Sequence, residues 1–124
     1  MVRGLALGCA LLAFGAAFAG SPSPAARAEI DHLFVYLEQS GCEFFRNGDW
    51  HNAADARTHL ERKYNAMVGN GQVATAEDFI ARGASQSSAS GKPYLVRCGG
   101  RPSVSSGRWL TDELQRYRQA PAKK

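Results

Sequence analysis

Three times along this chain a run of apolar residues at helical spacing ends on a glycine. Ile30, Leu33, Phe34 and Leu37 stand at i, i+3, i+4 and i+7 and stop before Gly41. Ala53, Ala56, Leu60, Tyr64 and Met67 form a second stripe, broken by Gly69 and Gly71, and Ala76, Phe79 and Ile80 a third, closed by Gly83. The spacing predicts helices over 29–39, 52–68 and 76–83, and Trp109, Leu110, Leu114 and Tyr117 add a fourth over 106–118. Glu29 and Asp31 suit the positive end of the first helix, and Thr75-Ala76-Glu77-Asp78 supplies a cap with acids in the first turn of the third. Adjacent Glu77 and Asp78 point about 100° apart, so they read as dipole partners and not as an acid–base pair. His32 falls opposite the apolar stripe of its helix and is expected to be solvated.

Between the helices the signals change. Residues 42–50, CEFFRNGDW, read as an extended piece closed by a tight Asn47-Gly48 turn, and Pro93-Tyr94-Leu95-Val96 is the strongest strand pattern. A chain of 124 residues has room for one domain. The expected fold is mainly α, a small single domain of about four helices with one or two short extended segments and one disulfide.

The first 28 residues are expected to lie outside that domain. Arg3 gives a minimal positive start, and residues 5–18 are apolar but too short to span a bilayer. Two A-x-A cleavage patterns follow, Ala17-Phe18-Ala19 and Ala26-Arg27-Ala28. The second is preferred here, because residues 20–26 read as a polar, Pro-containing stretch and Glu29 opens a clean helix. The expected organisation is a signal peptide at 1–28, a globular domain at 29–118 and a flexible tail at 119–124, in a periplasmic or secreted protein. Ala6-Leu7-Gly8-Cys9 is rejected as a lipidation signal, since its cysteine precedes most of the apolar stretch.

Removal of Cys9 leaves Cys42 and Cys98, and two cysteines in an exported domain of this size most simply form one disulfide. Metal ligation is the rival reading. With no Cys-x-x-Cys and no histidine pair at i,i+4, neither a metal nor a cofactor is expected. Without Arg3 and Arg27 the 15 Lys and Arg fall to 13 against 11 Asp and Glu, leaving about +2 with the two signs intermixed. No nucleic-acid partner is expected from such a charge pattern.

The segment from Ala84 to Lys92 packs four serines and a Gly-Lys turn into nine residues, between two helical patterns. It fails as a P-loop, which needs glycine at 86 and Ser or Thr at 93, where this chain has Gln86 and Pro93. A Ser-x-x-Lys nucleophile would need serine at Ala89. Serine hydroxyls and the amides of a Gly-containing turn are donors suited to an anion or a sugar hydroxyl, though serines also cap helices and close turns. On the second helix Asp55, His59 and Lys63 are successive i,i+4 neighbours, and Lys63 projects into the apolar stripe. That lysine either snorkels to the edge or faces a pocket together with His59.

These residues, taken in order, resemble a known family. Phe45-Arg46-Asn47-Gly48-Asp49, then Ala56, His59-Leu60 and Lys63, then residues 75–80, then Ala84-Ser85, Ser87-Ser88 and Ser90-Gly91-Lys92-Pro93-Tyr94 with Val96 carry the resemblance. It is to the small exported bacterial proteins of domain-of-unknown-function family 5329, YfeK-like proteins, and covers residues 29–118. The family carries no assigned activity, so the resemblance implies a group without a mechanism. It also implies that the cysteine pair is not kept throughout, which points to a stabilising role for Cys42 and Cys98. Polar matches spread over three segments favour a shared site made of Arg46, Asn47, His59, Lys63, Ser85, Ser88, Ser90 and Lys92. The expected function is a non-enzymatic binding or accessory module for an anion, an envelope glycan or a partner protein. Its rivals are an envelope hydrolase using Ser88 or Ser90 with His59, and a purely structural exported protein. All functional readings require the serine-rich turn to fold back over the helix edge that carries Lys63.

Overall fold

The computed structural model describes residues 20–120; the apolar stretch 5–18, Cys9, the Ala17-Phe18-Ala19 pattern and residues 121–124 lie outside the described residues. Helix α1 spans Pro24–Gln39, beginning at 24 where the apolar period alone predicts 29. Its start is set by chemistry other than a stripe. Ser23 accepts the Ala26 N–H at 3.1 Å, and Pro24 stands at the first helical position, where its missing N–H costs no bond. Ile30, Leu33, Phe34 and Leu37 are all at most 3% exposed. Around them pack α2 (Ala53–Gly69), α3 (Ala76–Gly83) and α4 (Ser106–Gln119), each touching α1.

Each of these helices opens on a side-chain cap. Asn52 Oδ1 accepts the Asp55 N–H at 2.8 Å, and Ser105 Oγ accepts the Arg108 N–H at 3.3 Å. Thr75 and Asp78 form a complete capping box, which accounts for the paired acids of α3.

The extended pieces form one antiparallel sheet in the order β2-β1-β3-β4, with β1 at Glu43–Arg46, β2 at Asp49–His51, β3 at Leu95–Arg97 and β4 at Val104–Ser105. Asn47 and Gly48 turn β1 into β2 with φ of 51° and 94°, the left-handed pair that a two-residue hairpin needs. Phe44 pairs with Val96, and both are buried, whereas Glu43 and Phe45 alternate to the other face. There the Arg97 guanidinium lies 3.8 Å over the Trp50 ring and its Nε donates to Glu43 at 2.8 Å. One register step beyond the Glu43–Arg97 pair, Cys42 and Cys98 are joined, their Cα atoms 4.3 Å apart across 56 residues of chain.

Four helices and the disulfide therefore stand as the sequence predicts, and the short extended segments knit into a four-stranded sheet. His32 departs from expectation. Its Nε2 lies 2.6 Å from Glu113 Oε2 and its ring stacks on Tyr117 at 4.2 Å, because α4 crosses the face that a single-helix projection leaves to solvent. Among the described residues no helix is long and apolar enough to cross a membrane.

Candidate functional site

Tyr94 stands at the entrance to β3 with its ring buried. Its backbone is fixed on both sides: the N–H donates to Ser85 O at 3.0 Å, and the carbonyl accepts from the Ser106 N–H at 2.9 Å. A buried phenol needs a partner for its hydroxyl. Here two residues one turn apart on α2 provide it. Lys63 Nζ donates to Tyr94 Oη at 3.0 Å, and Oη lies 3.1 Å from His59 Nε2. The hydroxyl accepts from the ammonium, and the direction of its bond with Nε2 goes with the His59 tautomer. Lys63 donates further to Gln86 O at 3.1 Å, and its ammonium is 4.9 Å from the Tyr94 ring centroid. The serine-rich segment thus folds back onto the Lys63 edge of α2.

The electrostatics of this cluster are one-sided. Burial, followed by the charges of Arg46, Lys63, Arg62 and His51, holds the His59 pKa down to about 4, so the ring is neutral at physiological pH. Burial and then Arg46 push the Lys63 pKa below its ordinary value, while burial raises that of Tyr94 against the pull of Arg46. Asp55 lines the same recess, yet among the described residues neither it nor Arg46, Arg62 or Lys63 takes part in an ion pair within 4.0 Å.

Two spaces flank the cluster. A recess of about 30 Å³, bounded by Phe44, Arg46, His51, His59 and Tyr94, has room for a water-sized group. On the other side of Lys63 lies an open groove of about 710 Å³, lined by Asn70, Gln72, Arg82, Gln86 and Ser88. That volume falls in the range of small-ligand sites.

Of the residues singled out in the sequence, Arg46, His59 and Lys63 converge on Tyr94, and Ser88 faces the groove beside Lys63. Asn47 and Ser90 tie the hairpin to the loop, Ser90 Oγ donating to Asn47 Oδ1 at 3.1 Å. Ser85 lies apart, because its Oγ donates to Ile80 O at 2.7 Å and packs against Gly107, where a Cβ would sit 2.5 Å away. Lys92 contributes backbone, its N–H donating to Ser90 Oγ and its carbonyl accepting from the Ser87 N–H. Arg97 belongs to the outer sheet face with Trp50. His59 Nε2 is held by Tyr94 Oη and not by Ser88 or Ser90. Among the described residues no group of three or more His, Cys, Asp and Glu is placed to hold a metal ion.

Sequence reasoning passed over Tyr94 and Gln86 as site members. A signal existed for the first: a tyrosine inside an apolar strand pattern carries a hydroxyl that must be satisfied, and His59 with Lys63 offered two nitrogens on one helix side. Gln86 acts through its backbone carbonyl, which no residue identity announces.

Comparison with known proteins adds a grouping. A model described as "Family of unknown function (DUF5329)" matches residues 24–118. Among curated proteins, "Uncharacterized protein YfeK" of Salmonella typhimurium (strain LT2) is 42% identical over 64 residues, which is 50% of each chain. The chain thus spans about half the length of the curated relative it matches. No solved structure matches it.

Proposed function

We propose that this chain, which belongs to the DUF5329 family of unknown function, is an exported, non-enzymatic binding module whose site takes an anion-bearing envelope ligand. The anionic group would sit against Lys63 and Arg46. Sugar-type hydroxyls would lie along the groove on Ser88, Asn70 and Gln72. One observation carries the reading: Arg46 and Lys63 crowd a neutral histidine with no carboxylate paired to them, while five other arginines of the described residues each pair with Asp or Glu. Like charges held close together are relieved by an arriving anion, and partial burial strengthens that attraction. The groove beside Lys63 supplies the volume and the polar donors.

The bonds Ser90–Asn47 and Lys63–Gln86 also favour a second reading, in which the polar residues only hold the loop in place. Arg46 separates the two, since among the described residues its side chain makes no hydrogen bond and no ion pair within 4.0 Å. Thermal-shift titration with sulfate, phosphate, a uronic-acid oligosaccharide and a neutral oligosaccharide is the test. The binding reading expects a melting temperature that climbs with the concentration of the anionic compounds and not of the neutral one. It also expects Arg46→Gln to remove the rise without lowering the unliganded melting temperature. A flat response to all four compounds, or an equal one in Arg46→Gln, leaves the structural reading in possession.

A further inference from the structure

The chain offers a signal peptidase two small-x-small patterns, Ala17-Phe18-Ala19 and Ala26-Arg27-Ala28, and the fold distinguishes them. Ala26, Arg27 and Ala28 lie inside α1. Ala26 is 6% exposed, its N–H is bound by the Ser23 cap, and the Arg27 N–H donates to Ser23 O at 2.9 Å. Ahead of the cap the chain is still packed: Gly20 is buried, and a Cβ on it would come within 2.6 Å of Gly71 Cα, in the connection between α2 and α3. The stretch 20–28 is thus tied to the domain at Gly20, at the Ser23 cap and at Ala26, while most residues between these points are exposed.

A cut after Ala28 would discard the Ser23 cap, the Pro24 start and the buried Ala26 together. It would also leave a new α-ammonium on Glu29, at the positive end of the shortened helix. Glu29 is the residue whose carboxylate receives Arg118 at 2.8 and 3.0 Å, so a second cation would arrive beside that guanidinium. The family match begins at residue 24, within the stretch such a cut removes. A cut after Ala19 keeps the Ser23 cap, the Pro24 start, the buried Ala26 and the Glu29–Arg118 pair, and sets its new α-ammonium on Gly20, four residues ahead of α1.

We infer that the exported chain is processed between Ala19 and Gly20, which makes Gly20 the first residue of the mature protein. The step is hydrolysis by an envelope signal peptidase that accepts small side chains at its two recognition positions. The Ala19–Gly20 amide breaks, water gives its hydroxyl to the Ala19 carbonyl, and its hydrogen goes to the Gly20 nitrogen. This inference rests on the reading of the chain as exported, and the test separates the two.

The full chain is expressed in a bacterial host with a periplasm, and the product of each compartment is characterised by intact mass and N-terminal sequencing. The expected result is a periplasmic protein beginning at Gly20. A periplasmic protein beginning at Glu29, or at any other residue, overturns this site while export stands. An uncut chain confined to the cytoplasm overturns both. Two variants sharpen the result: Ala19→Leu is expected to accumulate precursor, whereas Ala28→Leu, at an exposed helix position, is expected to give the same Gly20 product as the parent chain. The opposite pattern of accumulation overturns the inference.

Discussion

His32 and His59 sit on α1 and α2 in opposite electrical surroundings. His32 lies 2.6 Å from Glu113, which also receives Arg116 Nε at 2.8 Å, in a region where Arg118 bridges Glu29 and Glu77. Every charge named there has an opposite partner within reach. His59 instead shares a tyrosine hydroxyl with Lys63 and feels Arg46, Arg62 and His51, so it stays neutral. The first region spends its charges on joining α1, α3 and α4. The second gathers Arg46 and Lys63 about a neutral histidine with Asp55 at the same recess, and among the described residues none of those three charged groups forms an ion pair within 4.0 Å.

The largest expected effect concerns the frame of the second region. The Cys42–Cys98 bridge closes 56 residues and anchors the hairpin that carries Arg46. Replacing both cysteines by alanine is expected to cost about 4 kcal/mol in urea unfolding, the chain-entropy figure for a loop of that length. The anion response should fall with it, whereas the His32–Glu113 contact, built between helices, should persist in NMR spectra of the folded fraction.

Acid should reach the two regions in turn. The His59 pKa is lowered from 6.5 to about 4, so between those values the unfolded chain takes up a proton that the folded chain refuses. The His59 contribution is therefore full above pH 6.5 and declines as pH falls toward 4. Glu77, held below its ordinary 4.5 chiefly by the Arg118 hydrogen bond, and Asp78, held below 3.8 chiefly by the Ala74 N–H, lose their contributions only as pH falls further. Urea midpoints from pH 7 down to about pH 2 check the order, and His59→Gln should flatten the upper part of that curve alone.

Smaller effects test the hubs themselves. Glu113→Gln, at a 9% exposed site that accepts from Arg116 and contacts His32, is expected to cost about 2 kcal/mol. Tyr94→Phe, which strands His59 and one Lys63 donor, should cost about 1–2 kcal/mol. If Tyr94→Phe proved neutral, the cluster would be wetter than its geometry shows and the contrast between the regions would weaken. Smallest of all, Arg118→Ala should lose less than about 1 kcal/mol, because such partly exposed pairs are screened, and added salt should shrink that loss further.

The helices were legible because their signals are local. Apolar residues three and four apart, Thr75 with Asp78, and Asn47-Gly48 each carry their geometry within a few positions. The start of α1 at Pro24 was missed because Ser23 and Pro24 announce it by capping, ahead of any stripe. The two-residue strand β4 shows no alternation to read, and the pairing of β1 with β3 joins residues about fifty positions apart. Ser85 and Lys92 shared the composition of the loop but not its direction, since one turns toward α4 and the other gives only its backbone.

Residue order by itself determined where this chain coils and where it turns, since each depends on neighbours in the sequence. That Arg118 reaches Glu29 and Glu77, that Arg57 reaches Glu38, and that Lys63 reaches Tyr94 and Gln86 was decided by tertiary structure. A side chain's field depends on what packs across from it, and here α4 crosses over His32 while the 84–94 segment folds over Lys63.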